Sequence, residues 1–405
     1  MLNRITGLVI RPSRTPRELP RPQTLGQRAR STLGLQSLGG LMMRSRNRVG
    51  ASADGDMLRP GRLRVVATAA AGGTGTNSFA DGLVNGTIVA SVAASALTVA
   101  IKTLAGADPS SGDPVHLFTR SATAANGDYT DTAISSALSL TISSGSTMGA
   151  TNGVAFRLWL VAFLDSGTVR LGLVNLWDSA GLTLMSLDET GTASSTAEGG
   201  AGAADSAQVI YTGTAVTSKV YRILGYLEWS SGLATAGTWA SAPSKVQLLG
   251  PGVKRPGDVV QVAYTKTGAV ATTTTTLPWD DTIPQNTEGA EFMNRAITPR
   301  SAANLLEISA QLHLANSAPN RIAAALFQDS TASAIATMGV ANDSAGFERT
   351  LALFWTMLAG TTSSTTFKVR AGAVSAGTTT FNGQASARLY GGTLNSYMRI
   401  AEIMA

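Results

Sequence analysis

Chemistry in a protein needs titratable or nucleophilic side chains gathered at one place, and this sequence offers few of them. It has two histidines, His116 and His313, and no cysteine. A zinc site would therefore need carboxylates as its remaining ligands, and each histidine reads more simply as a strand-edge side chain. Asp280 and Asp281, in LPWDDTIPQ, are the most conspicuous carboxylate pair. Two carboxylates facing each other across a glycosidic bond can cleave it, but neighbours on one loop point apart, and the flanking prolines mark a turn. The stretch GPGVKRPGD at 250–258 lacks the spacing and the following helix of a phosphate cradle. A Ser-His-Asp triad assembles in space and leaves no fixed spacing, yet no nucleophile-elbow sequence announces one. The residues predict a non-enzyme with no catalytic centre, no cofactor and no metal.

The elements that would carry any site are strands. Only 14% of the residues are charged, well below the usual quarter, so Ser, Thr, Asn, Gly and Ala must cover most of the surface. With no disulfide to staple it, stability has to come from burial or from association. Apolar or alternating runs follow one another from Val65 onward: LSLTI (138–142), VAFRLWLVAFL (154–164), 169–176 and VYRILGYLEW (220–229), separated by Gly/Ser/Asp/Asn clusters. In 302–314, Leu306, Ile308, Ala310, Leu312 and Leu314 alternate with polar residues, which gives a strand. Threonine runs at 272–276 and 378–380 favour a pleated surface over a helix. LDSGT (164–168), WDSAG (177–181) and QDSTA (328–332) each place Asp-Ser after an apolar run, as turns do. The uncharged stretch 82–101 has the length of a membrane span, but six polar or glycine positions interrupt it, and no membrane insertion is expected.

The charge is uneven. Residues 1–64 hold thirteen arginines, no lysine and three acids, a formal +10, whereas 65–250 carry −5 and 251–405 carry +1. Pro12, Pro16, Pro20 and Pro22 exclude the amphipathic helix of a transit peptide and favour an extended arm. The arm reads either as a disordered cationic tail or as a segment that orders against a partner. Its arginines, among them Arg4, Arg11, Arg14, Arg17, Arg21, Arg28, Arg30, Arg44, Arg46 and Arg48, suit an acidic protein surface. Contact with packaged DNA is the weaker option, because residues 1–64 contain no aromatic side chain to stack on a base.

The expected organisation is an all-β chain: an extended Arg/Pro-rich arm (1–64), a first β-sandwich (65–250), a Pro/Gly linker (251–257) and a second β-sandwich (258–405), both antiparallel and jelly-roll-like. The two halves run in similar order. FRLWLVAFL and then TVRLG in the first answer to LALFWTML and then FKVRAG in the second, and both close on an Arg-Ile strand. That order suggests two domains of like topology and a divergent duplication, which requires the same strand order in both.

Residues 85–115 (NGTIVASVAASALTVAIKTLAGADPSSGDPV) and 236–252 (AGTWASAPSKVQLLGPG), with 297–330 and the closing NSYMRIAEI (395–403), resemble tail-fibre and related virion proteins of tailed bacteriophages. The resemblance covers about residues 79–405. It implies a non-enzymatic, homotrimeric virion appendage, anchored to tail or head-tail connector proteins by 1–64, whose distal end meets a glycan or protein of the host surface. The alternative is a capsid-associated decoration or head-fibre protein without receptor binding. Loops rich in small polar residues near Gly or Pro are the candidates for host contact: Asn316 and Asn320, Thr361 and Ser363, Ser375 and Thr378. Phe354, Trp355, Phe367, Phe381 and Tyr397 are candidates for core or intersubunit packing.

Overall fold

The computed structural model describes residues 79–405 apart from 81, 122–128, 179 and 200–204; the arm 1–64 and all its arginines lie outside the described residues. Residues 77–405 form one compact unit. Its regular structure is strand, with a single 3-10 turn at Tyr390–Gly392 and no α-helix among the described residues. The all-β, jelly-roll-like architecture is therefore the one the sequence predicts.

The first sandwich is organised by β6 (Phe156–Asp165), β7 (Thr168–Val174), β8 (Tyr221–Trp229) and β9 (Lys245–Leu248), which lie side by side in the order β7-β6-β8-β9. Against one face pack two smaller sheets. One joins β1 (Gly86–Ala93), β2 (Ala96–Thr103) and β5 (Leu138–Ile142); the other contains β3 (Val115–Arg120) and β4 (Tyr129–Ile134). Burial follows the sequence pattern. β2 alternates strictly, with Leu97, Val99 and Ile101 inside. By contrast, β6 is buried from Phe156 to Phe163 and β8 along its whole length. A near-continuous apolar run, broken here by Arg157 in β6 and by Arg222 and Glu228 in β8, is what a strand covered on both faces shows. The second face of this sheet is covered by Leu184, Met185, Leu187, Val253 and Met404. Gly225 sits at a bulge in β8, where a Cβ would lie 2.1 Å from the Gln247 carbonyl oxygen. One pair breaks the expected antiparallel rule: Thr196–Ala197 runs parallel to Tyr211–Thr212.

The second sandwich has eight principal strands: β10 (Val259–Thr267), β11 (Ala290–Ile297), β12 (Leu305–Asn316), β13 (Ile322–Gln328), β14 (Ala336–Val340), β15 (Glu348–Leu358), β16 (Thr365–Ala373) and β17 (Ser396–Ile403). Their ladders give two sheets, β10-β17-β12-β15 and β11-β16-β13-β14. Counted from one to eight, the orders are 1-8-3-6 and 2-7-4-5, the double Greek key of a jelly roll. Between the sheets lie Leu306, Ile308, Leu312, Leu314, Leu326, Phe367, Val369 and Phe381, each at most 2% exposed; a side chain so placed contributes about 1.5–3 kcal/mol.

Among the described residues no ladder crosses from one sandwich to the other, but buried apolar contacts do. Ala155 meets Ala302 and Ala303, and Trp177 packs with Leu305 and Ala405. The segment 251–257 is held on both sides: Val253 packs on the first sandwich, and the Gly257 amide donates to the Met404 carbonyl (2.8 Å). The duplication expectation is overturned. β6 and β7 form one hairpin, whereas their presumed counterparts β15 and β16 belong to different sheets. Similar apolar runs had arisen from similar burial, without a common strand order.

Candidate functional site

Three places gather polar or exposed side chains. The first is the join between the sandwiches. Arg157, projecting from β6, is 3% exposed and meets Glu228 of β8 (Nη2 to Oε2, 2.6 Å). It also donates to Asn304 Oδ1 (3.0 Å), to Ser301 Oγ (3.3 Å) and to the Ala405 carbonyl, and its guanidinium lies 4.7 Å from the Tyr226 ring centroid. Glu402, fully buried, accepts from the Arg300 amide (2.7 Å), Asn304 Nδ2 (2.6 Å) and Gln261 Nε2 (2.6 Å). Asn304 thus links both buried carboxylate systems. A buried charge persists only when so surrounded. The network fixes the 301–304 loop and the β17 end of the second sandwich onto the first.

The second place is the opposite end of the jelly roll. There the loops at 268–270, 317–321, 341–347, 374–378 and 382–395 converge. Asn320 Nδ2 donates to Ser375 Oγ (2.6 Å) and the Asn320 amide to the Asn342 carbonyl (2.8 Å). The Thr378 amide donates to Ser317 Oγ (2.8 Å), and Asn382 Nδ2 to the Thr267 carbonyl (2.7 Å). Two aromatic side chains stand out of this tip, Phe347 at 58% and Tyr390 at 78% exposure. Sequence reasoning missed both; NDSAGF and RLYGG, each an aromatic beside glycine in a polar loop, carried the signal.

The six candidate loop residues divide between the two ends. Asn320, Ser375 and Thr378 are at the tip. Asn316 is also there but is 1% exposed and in register with Thr379, so it cannot face a partner: it closes β12, with Nδ2 bonded to the Ala318 carbonyl (3.0 Å). Thr361 and Ser363 lie at the joined end, beside Ala302 and Asn304, where the Gly360 and Ala359 amides donate to those carbonyls. The twelve residues of β12 separate the two groups by roughly 35–40 Å, so the three loops do not make one surface.

The third place is the pair of histidines and their carboxylates. His116 Nδ1 is 2.9 Å from Asp131 Oδ1. His313 Nδ1 is 2.6 Å from Glu348 Oε1 and 3.2 Å from Thr350 Oγ1, while its Nε2 is 3.4 Å from the Gln311 amide nitrogen. A triad needs acid and hydroxyl on opposite ring nitrogens; here both meet Nδ1. No group of three or more metal-ligating side chains occurs among the described residues. Asp280 caps its own turn, accepting from the Thr282 amide (2.9 Å) and hydroxyl, and these bonds hold its pKa below the ordinary carboxylate value. It lines a shallow depression of about 340 Å³ with Asp281, Ile283 and Ala334. In the first sandwich Asp205 is buried and accepts from Ser146 Oγ; burial first, then the Glu198 charge, raise its pKa.

No protein-family model matches the sequence, and no curated protein matches it. Among solved structures, the chain is similar to the Eiger TNF of S. frugiperda, at 10% identity over 37% of this chain and 94% of that one, with a TM-score of 0.21. A structure of the infectious bursal disease virus Gx strain is 13% identical over 82% and 80%, with a TM-score of 0.22. The VP2 subviral particle of that virus is 12% identical over 80% and 78%, with a TM-score of 0.20. At such scores it is the strand order of this chain's own ladders that assigns the jelly roll.

Proposed function

We propose that the chain is a structural protein of a bacteriophage virion, of the tail-fibre or spike type. In this reading, residues 1–64 anchor it to other virion proteins, the two sandwiches form a homotrimeric appendage, and the tip of the second meets the host surface. The observation that carries the reading is the polarity of the jelly roll. One end is fixed to the first sandwich by the Arg157 and Glu402 network, and the other ends in a hydrogen-bonded group of loops from which Phe347 and Tyr390 project. Exposed aromatics on a rigid, polar loop frame are the usual means of contacting a glycan or protein. The low charge agrees with a component whose surface packs against neighbours in a particle.

The test uses purified particles and the full-length chain. Gold-labelled antibody against residues 258–405 is expected to mark the tail in electron micrographs, and excess soluble chain is expected to block adsorption to cells. Labelling of the head with no effect on adsorption establishes the decoration reading in its place. Particles that lack the chain sink both.

A further inference from the structure

The outer face of the β10-β17-β12-β15 sheet is uncovered over most of its length, and it mixes exposed aromatic side chains with charged and polar ones. Register sets its rungs. Tyr264, Arg399, Ser309 and Phe354 form one; Val262, Ala401, Glu307 and Thr356 form the next; Lys266, Tyr397, Gln311 and Ala352 form the one before. Phe354 is 71% exposed, Tyr264 61%, Tyr397 39% and Val262 38%. Together these four side chains expose roughly 400 Å² on one face, a patch of the size that on a monomer often serves a function. At the joined end of the same face, Leu305 is buried against Trp177, and the half-buried Leu358 and Ile403 pack there with Leu184. The face takes an apolar cover where one is supplied.

We propose that a second copy of this chain covers the rest, the Tyr264 flank of one copy lying on the Phe354 flank of the next. The proposal locates the self-association invoked above and rests on that reading only for the number of copies. Three features select a copy over another partner. Tyr264 and Phe354 stand on the two outer strands, while Tyr397 and Arg399 on β17 lie beside the small Ser309 and Ala401, so raised and low positions both belong to one face. Charges of both signs, Glu307 against Arg399 and Lys266, lie on it without an ion-pair partner among the described residues; a copy brings the matching set. Finally, four strands about 4.8 Å apart and eight residues long make a footprint of roughly 500 Å², which side-chain relief brings near the about 800 Å² per partner of a stable interface. A rotation axis parallel to the strands, in front of Ser309 and Ala401, carries one flank onto the other and closes the assembly.

The absence of native cysteine makes the test direct. Within one chain Tyr264 and Phe354 stand on strands three spacings apart, roughly 14 Å, beyond the reach of a disulfide. The full-length Tyr264→Cys/Phe354→Cys variant, oxidised, is expected to give covalent multimers on a non-reducing gel, an equal mixture of the two single variants covalent dimers, and either alone none. Phe354→Asp changes an exposed side chain, so the circular dichroism spectrum is expected to persist while association weakens roughly 30-fold, as for an interface hot spot. A multimer by native mass that neither cross-links nor responds to Phe354→Asp overturns this face and leaves the homotrimer standing. A wild-type monomer at tens of micromolar overturns both. If the thiol of the single Phe354→Cys variant reacts with maleimide only after residues 1–64 are removed, the face belongs to the chain's own arm and the proposal is overturned.

Discussion

Replacing Arg157 by Met removes the buried guanidinium at the join while keeping most of its volume. The Glu228 carboxylate, whose side chain is 9% exposed, then loses its only ion-pair partner among the described residues. Asn304 Oδ1, Ser301 Oγ and the Ala405 carbonyl lose a donor as well. Breaking a buried pair from one side costs about 3–5 kcal/mol, because the surviving charge remains desolvated; loss of the guanidinium stacked on Tyr226 adds about 1 kcal/mol. Set against a total stability of about 5–15 kcal/mol, that is a large fraction. The double variant Arg157→Met/Glu228→Leu removes both charges and is expected to recover at least half of the loss. Urea titration followed by tryptophan fluorescence measures the costs, with Trp159 beside the site as reporter. Calorimetry is expected to show the single variant's two sandwiches melting apart, since the join holds the 301–304 loop. A cost under about 1 kcal/mol, the scale of a surface bridge, refutes the argument.

Asp205→Asn tests the sign of a raised pKa. A folded-state value above 3.8 means that the native chain binds this proton more tightly than the unfolded one, so its contribution is complete below 3.8 and declines as pH rises through the native value. The Asn variant should therefore have the higher urea midpoint at neutral pH and converge with wild type at the acid end; an equal or lower midpoint at neutrality contradicts the assignment. Gly225→Ala drives a methyl into the Gln247 carbonyl, a backbone atom that cannot swing aside, so a loss above about 2 kcal/mol in thermal unfolding is expected. Phe347→Ser and Tyr390→Ser, both at exposed tip positions, should stay within about 0.5 kcal/mol of wild type and yet lose the ability to compete with particles for cells. Competition unchanged by both together removes the tip from host contact.

Much of the fold is legible because burial writes its period into the chain. β2 alternates because one face is covered, and β6 and β8 do not alternate because both are. The Asp-Ser turns are found where the sequence puts them, though by different bonds. Asp178 accepts from the Ala180 amide within its turn, Asp329 from the Thr366 amide on the neighbouring strand β16, and Asp165 pairs with Arg170 and Lys219. Strand order is not legible in this way, since the ladder between β12 and β17 joins residues nearly a hundred positions apart and nothing local records it. The same limit hid the join: Arg157 and Glu228 sit inside apolar runs, where a lone charge reads as an edge. Phe354 and Tyr397 look like core in a one-dimensional reading, and only register turns them outward.

The distribution of charge gives the last step. Only 14% of residues are charged, yet Arg157, Glu228 and Glu402 are spent inside the protein, where apolar residues of equal volume would stabilise as well or better. What buried polar groups can add is direction: they accept few arrangements, whereas the apolar contacts of Ala155, Trp177 and Met404 tolerate sliding. A join specified in this way holds the outer face of the β10-β17-β12-β15 sheet at one angle to the first sandwich. If copies meet across that face, small errors at the join are multiplied along the length of β12 before they reach the tip. The double variant Arg157→Met/Glu228→Leu, stable but no longer specified, is therefore expected to form mixed multimers by native mass where the wild type forms one, and a single unchanged species removes the orienting role.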